Sequence, residues 1–119
     1  MKKILILTHA NDNTADLVIQ KLFDKKAVFA RFNTEEFPEK VKLTAMWNGK
    51  EVVAKISSKN FSFCLNEIKS VWYRRPHRPE VNHFECPISK EWAEEESQYA
   101  LNCLWSLLKD CFWLNPISA

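Results

Sequence analysis

Glycine is nearly missing: it occurs once in 119 residues, at Gly49. A phosphate loop of the GxxxxGK(S/T) or GxGxxG kind needs several glycines, so that backbone amides can close round the anion. The chain has neither loop, and any nucleotide chemistry must be supplied elsewhere. Long apolar runs are missing too, since nothing approaches the roughly 20 residues that span a bilayer. Met1-Lys2-Lys3 followed by Ile4–Leu7 imitates the start of a signal peptide, but Asn11, Asp12 and Asn13 follow closely. A signal sequence needs about 7–15 apolar residues. A first β-strand and a cytoplasmic protein, with no membrane partner, are the better reading.

Closely spaced metal ligands are also absent. Cys64, Cys86, Cys103 and Cys111 form no CxxC or CxxH pair, which excludes the common zinc spacings and suits reduced thiols. Cys103 and Cys111 read as small buried residues of one helix. His9, His77 and His83 share no metal spacing either, so no metal site is expected. Neither sign of charge dominates, with a formal net charge of +2. Trp47, Trp72 and Tyr73 beside arginines imitate a base-stacking surface. They sit at strand positions in a nearly neutral chain, so core packing is expected and nucleic acid is not.

What is present is bulk: 46% apolar residues, with five Trp and eight Phe, in a length that suits one domain and one core. Ile4–Leu7 is a continuous apolar run, as in a parallel strand buried on both faces. Asn13 or Thr14 is placed to cap a helix with Asp16 in its first turn. Ala15, Val18, Ile19, Leu22 and Phe23 give that helix its apolar spacing, and Lys25 and Lys26 close it. Ala27–Phe32 is a second strand, completing a parallel crossover unit.

After a polar loop over Asn33–Pro38, Lys42–Trp47 and Glu51–Ile56 alternate around Asn48-Gly49, a strong hairpin signal. A short strand is expected at Phe61–Phe63 and another at Val71–Arg74, followed by a proline-rich loop over residues 75–87. A long amphipathic helix starts at Ser89. Its expected buried stripe is Trp92, Ala93, Ala100, Cys103, Leu104, Leu107, Leu108 and Cys111. Phe112–Leu114 is a last strand, stopped by Asn115-Pro116. The order predicts an α/β fold: a mostly parallel, Rossmann-like sheet with an antiparallel hairpin insertion.

Positive charge is concentrated in Arg74-Arg75-Pro76-His77-Arg78-Pro79, where an apolar strand leaves the core. Ligands of open α/β sheets gather beyond the carboxyl ends of the strands. Those ends carry His9, Asn33, Arg74, Arg75, His77 and Asn115, the candidate rim. Arginine presents a planar fork suited to carboxylate or phosphate, and Pro76 stiffens the backbone after it. In the blander alternative, Arg74 or Arg75 pairs with Glu94, Glu95 or Glu96 of the long helix. Glu96 edges onto the apolar stripe and is the candidate structural partner of Arg75. Arg78 reads as solvated. His9 has no evident nucleophile beside it and reads as an orienting rather than a catalytic histidine.

The segments Ile4–His9, Arg31-Phe32-Asn33-Thr34-Glu35-Glu36-Phe37-Pro38, Val71-Trp72-Tyr73-Arg74-Arg75-Pro76 and Trp113-Leu114-Asn115-Pro116, in this order, resemble a known family. It is the N-terminal, pre-ATP-grasp domain of the microviridin (graspetide) type ATP-grasp peptide maturases, relatives of the RimK-like ligases. The resemblance covers almost the whole chain. It implies a longer parent ligase in which ATP, with Mg²⁺ bridging its phosphates, activates a side-chain carboxylate of a ribosomally made precursor peptide. A lysine amine or a serine or threonine hydroxyl would then attack the acyl phosphate, giving an amide or ester cross-link. No segment here matches the nucleotide-holding lysines or the metal ligands, so residues 1–119 are expected to form one non-catalytic domain of that parent.

On this reading Arg74, Arg75 and Asn115 would face the ligase cleft, docking the missing ATP-grasp domain or binding an acidic substrate. Two alternatives stand beside it. One is a stand-alone α/β module holding a small anion or acidic peptide at its arginine rim. The other is a structural domain whose basic corner pairs with its own acidic helix. The hairpin edge over Lys42–Ile56 leaves a homodimer possible, although Lys42, Lys50 and Lys55 oppose easy strand pairing.

Overall fold

The computed structural model describes residues 3–115. The apolar run Lys3–Thr8 forms β1, buried from Leu5 to Thr8. Helix α1 spans Asn13–Asp24 and returns the chain to β2 at Phe29–Asn33. β2 lies parallel to β1, pairing Leu5 with Ala30 and Leu7 with Phe32. The cap of α1 is Asp12, not Asn13 or Thr14: its side chain accepts the Ala15 amide, and it lies one residue earlier than the polar run suggests. The turn after α1 keeps Lys26 in a left-handed conformation, φ 58°.

A short 3-10 turn at Thr34–Glu36 leads into a separate three-stranded antiparallel sheet, β3 (Lys42–Trp47), β4 (Val52–Ser57) and β5 (Ser62–Cys64). Its hairpin turns at Gly49, φ 93°, where only glycine sits without strain. Leu43, Ala54, Ile56 and Phe63 share its inner face. Trp47 lies beyond the core and is 64% exposed, so it does not pack inside as expected.

The chain then returns as β6 (Ile68–Tyr73), parallel to β1 on the side away from β2. Helix α2 (Pro87–Leu107) crosses to β7 (Phe112–Leu114), the edge strand beside β6. The parallel sheet has the order β2-β1-β6-β7. A mostly parallel sheet with an antiparallel insertion is thus present, the insertion being a second sheet. The stop expected at Pro116 lies outside the described residues.

One core joins both sheets to α2. Leu5, Leu7, Phe32 and Val71 of the parallel sheet meet Leu101, Leu104, Trp105 and Leu108, while Ile56, Phe63 and Leu65 close the cluster from the insertion. Phe32 packs 6.2 Å from Trp105, and Trp105 stands edge-on to Trp113 at 6.5 Å. α1 covers the opposite face, where Arg31 and Trp72 flank Ile6 in register. Lys3 ties the two sheets: it pairs with Glu67 and lies 4.5 Å over the Phe63 ring.

The stripe of α2 differs from the expected one. Leu104 and Leu108 are buried, but so are Leu101 and Trp105, whereas Trp92, Cys103 and Leu107 are exposed. Two sheets flank the C-terminal half of α2, and their position, not periodicity alone, sets the buried phase. Cys111 lies beyond the helix, half-buried, and its thiol donates to the Ile68 carbonyl at 3.1 Å. Leu104→Ala is expected to cost about 2–5 kcal/mol, and Leu107→Ala less than about 1 kcal/mol, in urea unfolding of the purified chain. Equal losses would contradict this assignment of faces.

Candidate functional site

Strand β1 has neighbours on both sides that are reached through connections running in opposite directions. Its carboxyl end is therefore the topological switch point, where open α/β sheets hold ligands. Thr8 and His9 end β1, Asn33 and Thr34 end β2, and Arg74 follows β6. The Arg74 amide donates to the Leu7 carbonyl at 2.8 Å, extending the β1–β6 ladder into the rim.

The centre of the rim is Asp12, only 4% exposed. Its carboxylate accepts the Thr8 hydroxyl at 2.6 Å and the Ala15 amide at 3.1 Å, and the Arg74 Nε lies 3.4 Å away. The last is an ionic contact and not a hydrogen bond, for the buried Nε has no hydrogen-bond partner. Burial works to raise the Asp12 pKa. The bonds from Thr8 and Ala15 and the charge of Arg74 outweigh it and hold the group below the ordinary carboxylate value. Arg74 does pair with an acid of its own chain, but the acid is on the loop after β1, not on α2.

Around this centre the side chains are committed to one another. Arg31 reaches from β2 to Asp16 of α1, to the Asn33 side chain at 2.9 Å and to the His9 carbonyl at 2.8 Å. Asn33 therefore orients Arg31. The His9 ring stacks on His77, centroids 3.9 Å apart and planes within 6°. The Thr34 hydroxyl holds the His77 carbonyl. Glu35 accepts the Ala10 amide at 2.9 Å through one oxygen, while the other is buried without a partner.

Arg75 differs from all of these. It is exposed, in a left-handed conformation at φ 46°, and forms no ion pair among the described residues. That backbone region is costly for a residue with a side chain, and such strain gathers where function requires it. The proposed pairing of Arg75 with Glu96 is not present: Glu96 is exposed on α2 and makes no ion pair among the described residues. Glu94 is the member of that run which is used, accepting the Val81 amide at 3.0 Å. Asn115 ends β7, exposed, at φ 59°. No side-chain hydrogen bond ties it to the rim among the described residues.

Of the sequence-derived candidates, the structure thus joins His9, Arg74 and His77, draws in Asn33 through Arg31, and leaves Arg75, Asn115 and Glu96 outside the network. Asp12, Thr34 and Glu35 were not among the candidates. Asp12 had a signal, a capping residue just past a strand end. Thr34 and Glu35 act through contacts between residues 25 or more positions apart in sequence, which no local pattern encodes.

The buried carboxylate of Asp12 is not free to hold a metal ion. Both oxygens of the buried carboxylate are already bonded, and a guanidinium stands beside them. Among the described residues no three His, Cys, Asp or Glu side chains converge on a metal geometry. No helix is long and apolar enough to cross a membrane. The rim places Arg31 and Arg74, each paired with an acid of its own chain, near the stacked rings of His9 and His77, and leaves Arg75 exposed.

A family model described as the MvdD pre-ATP-grasp domain matches residues 3–119. Among solved structures, the chain is similar to the macrocyclase MdnB of Microcystis aeruginosa, with 34% identity and a TM-score of 0.87, over 99% of this chain and 39% of that one. It is similar to an ATP-grasp ligase of Chryseobacterium gregarium that is RiPP-associated and solved with ADP, a leader and a core peptide (27% identity, TM-score 0.83, 99% and 36% covered). The fold also matches the M. aeruginosa macrocyclase MdnC bound to the precursor peptide MdnA, at 23% identity and a TM-score of 0.83, over 99% and 38% of the two chains. The chain spans under two fifths of the length of each of these proteins. No curated protein matches it.

Asp12→Asn is expected to keep the helix cap but lose the charge facing Arg74. The native carboxyl has a depressed folded pKa, so its contribution is complete above the ordinary carboxylate range and is lost as pH falls through the folded value. Urea midpoints measured between about pH 7 and pH 3 should show the variant less stable at neutrality and less sensitive to acid. Parallel curves would remove Asp12 from its central role.

Proposed function

The chain belongs to the MvdD pre-ATP-grasp domain family, the pre-ATP-grasp domain of graspetide maturases, and from that premise we propose that it is the N-terminal domain of a longer ATP-dependent peptide ligase. In that protein its rim faces the ligase cleft and helps hold an acidic segment of a precursor peptide. The observation that carries this reading is Arg75, an exposed guanidinium held in a strained conformation between a clamped Arg74 and the rigid Pro76. The length relation to the relatives supports a longer parent.

On this reading the rim divides its labour between two arginines. Arg74 keeps the ends of β1 and β6 and the start of α1 together through Asp12. Arg75 presents the planar fork that a substrate carboxylate recognises. The parent's ATP-grasp part supplies ATP and Mg²⁺ and activates the carboxylate. This domain contributes position and positive charge only, in the cytoplasm. A second surface supports domain docking: Phe112 and Leu114 lie on the α1 face of edge strand β7, 68% and 51% exposed.

In the full-length protein, Arg75→Ala is expected to leave unfolding within about 0.5 kcal/mol of the parent. It should slow cross-linking of the precursor peptide about tenfold or more, read by mass spectrometry as loss of one water per bond. Arg74→Ala should instead lower stability. An unaltered cross-linking rate in Arg75→Ala would refute the substrate-facing role. An anion-binding module acting alone is favoured if the natural protein ends at Ala119, which the intact mass decides.

A further inference from the structure

Beyond the rim, three adjoining recesses run between α2 and the loop after β6, and Arg78 lines all three. The helix residues that line them include Pro87, Lys90, Glu94, Gln98, Leu101 and Trp105. Their spacing of three and four makes one stripe, so the recesses form a groove roughly 27 Å long at 1.5 Å per residue. The end nearest the rim is a cleft of about 390 Å³ with Tyr73, Leu101 and Trp105 among its walls and Tyr99 at 61% exposure. The other end is charged.

The wall opposite the helix is built, not loose. The His77 carbonyl is held by Thr34, the Glu80 amide by the Glu35 carbonyl at 3.3 Å, and the Val81 amide by Glu94 at 3.0 Å. Arg78 sits between these anchors. It is exposed and has no ion pair among the described residues, although Glu95 shares its cleft. Preformed clefts with apolar walls and a few fixed polar groups are where ligands bind.

We propose that this cleft takes an aromatic side chain of the peptide substrate, with a neighbouring carboxylate held by Arg78. This rests on the peptide-ligase reading above and adds to it a residue pattern. The aromatic ring packs among Tyr73, Tyr99, Leu101 and Trp105, where offset and edge-on contacts are available. One carboxylate meets the guanidinium. A run of acids does not fit, because Glu80, Glu91, Glu94 and Glu95 line the same groove and like charges repel.

The test is an NMR titration of the 119-residue chain with N-acetyl-L-tyrosine, N-acetyl-L-tyrosine amide and N-acetylglycine. N-Acetyl-L-tyrosine should cause saturable shifts at Arg78, Gln98, Tyr99 and the Trp105 indole. The amide should bind about fivefold or more weakly, and N-acetylglycine should not bind. Arg78→Gln should bring the acid down to the level of the amide, and Tyr99→Ala should weaken both. Both positions are exposed, so the variants should keep the parent spectrum elsewhere. Shifts that do not saturate, equal response to N-acetylglycine, or an Arg78→Gln variant that binds like the parent would overturn the inference. The two readings fail separately: the rim reading stands or falls on cross-linking by Arg75→Ala, the cleft on binding to the chain itself.

Discussion

The rim depends on one buried carboxylate. Asp12 caps α1, receives the Thr8 hydroxyl from the end of β1, and faces the guanidinium that follows β6. Burying such a group costs several kcal/mol unless it is bonded and paired. Here two hydrogen bonds and a cation offset that cost. The same contacts fix where α1 begins, how far β1 extends and where the chain turns after β6. The cationic corner therefore has a defined shape before any ligand arrives.

That arrangement explains why two adjacent arginines have different surroundings. Side chains alternate along a strand, so consecutive residues at its end diverge. Arg74 turns to the buried acid. Arg75, in a left-handed conformation, breaks the strand direction and sends the chain back along α2. The return path forms the wall that carries His77 and Arg78. The rim and the cleft lined by Tyr73, Tyr99 and Trp105 are therefore products of one chain reversal.

Much of the fold was legible locally. The run Ile4–Leu7, the Asn48-Gly49 turn and the apolar triplet Phe112–Leu114 each announce their element through short-range chemistry, and each forms where expected. The placement of His9, Arg74 and His77 on one rim followed from strand ends alone. Less legible was the buried phase of α2. Apolar residues occupy several of its faces, so Trp92 and Leu107 fit a stripe as well as Leu101 and Trp105 do. The second sheet decides between them by closing over one side.

The sequence by itself determined the parallel α/β class, the concentration of positive charge at the exit of one strand and the lack of a GxxxxGK(S/T) or GxGxxG motif, because each depends on residues adjacent or nearly so. Only the tertiary structure decided that Arg74 is committed to Asp12 while Arg75 is not, that Glu96 stands clear of both, and that Tyr73, Tyr99 and Trp105 share a cleft. Those outcomes depend on which distant groups meet across strands and a helix. A buried charge selects its partner by three-dimensional proximity, and the order of residues along the chain does not state it.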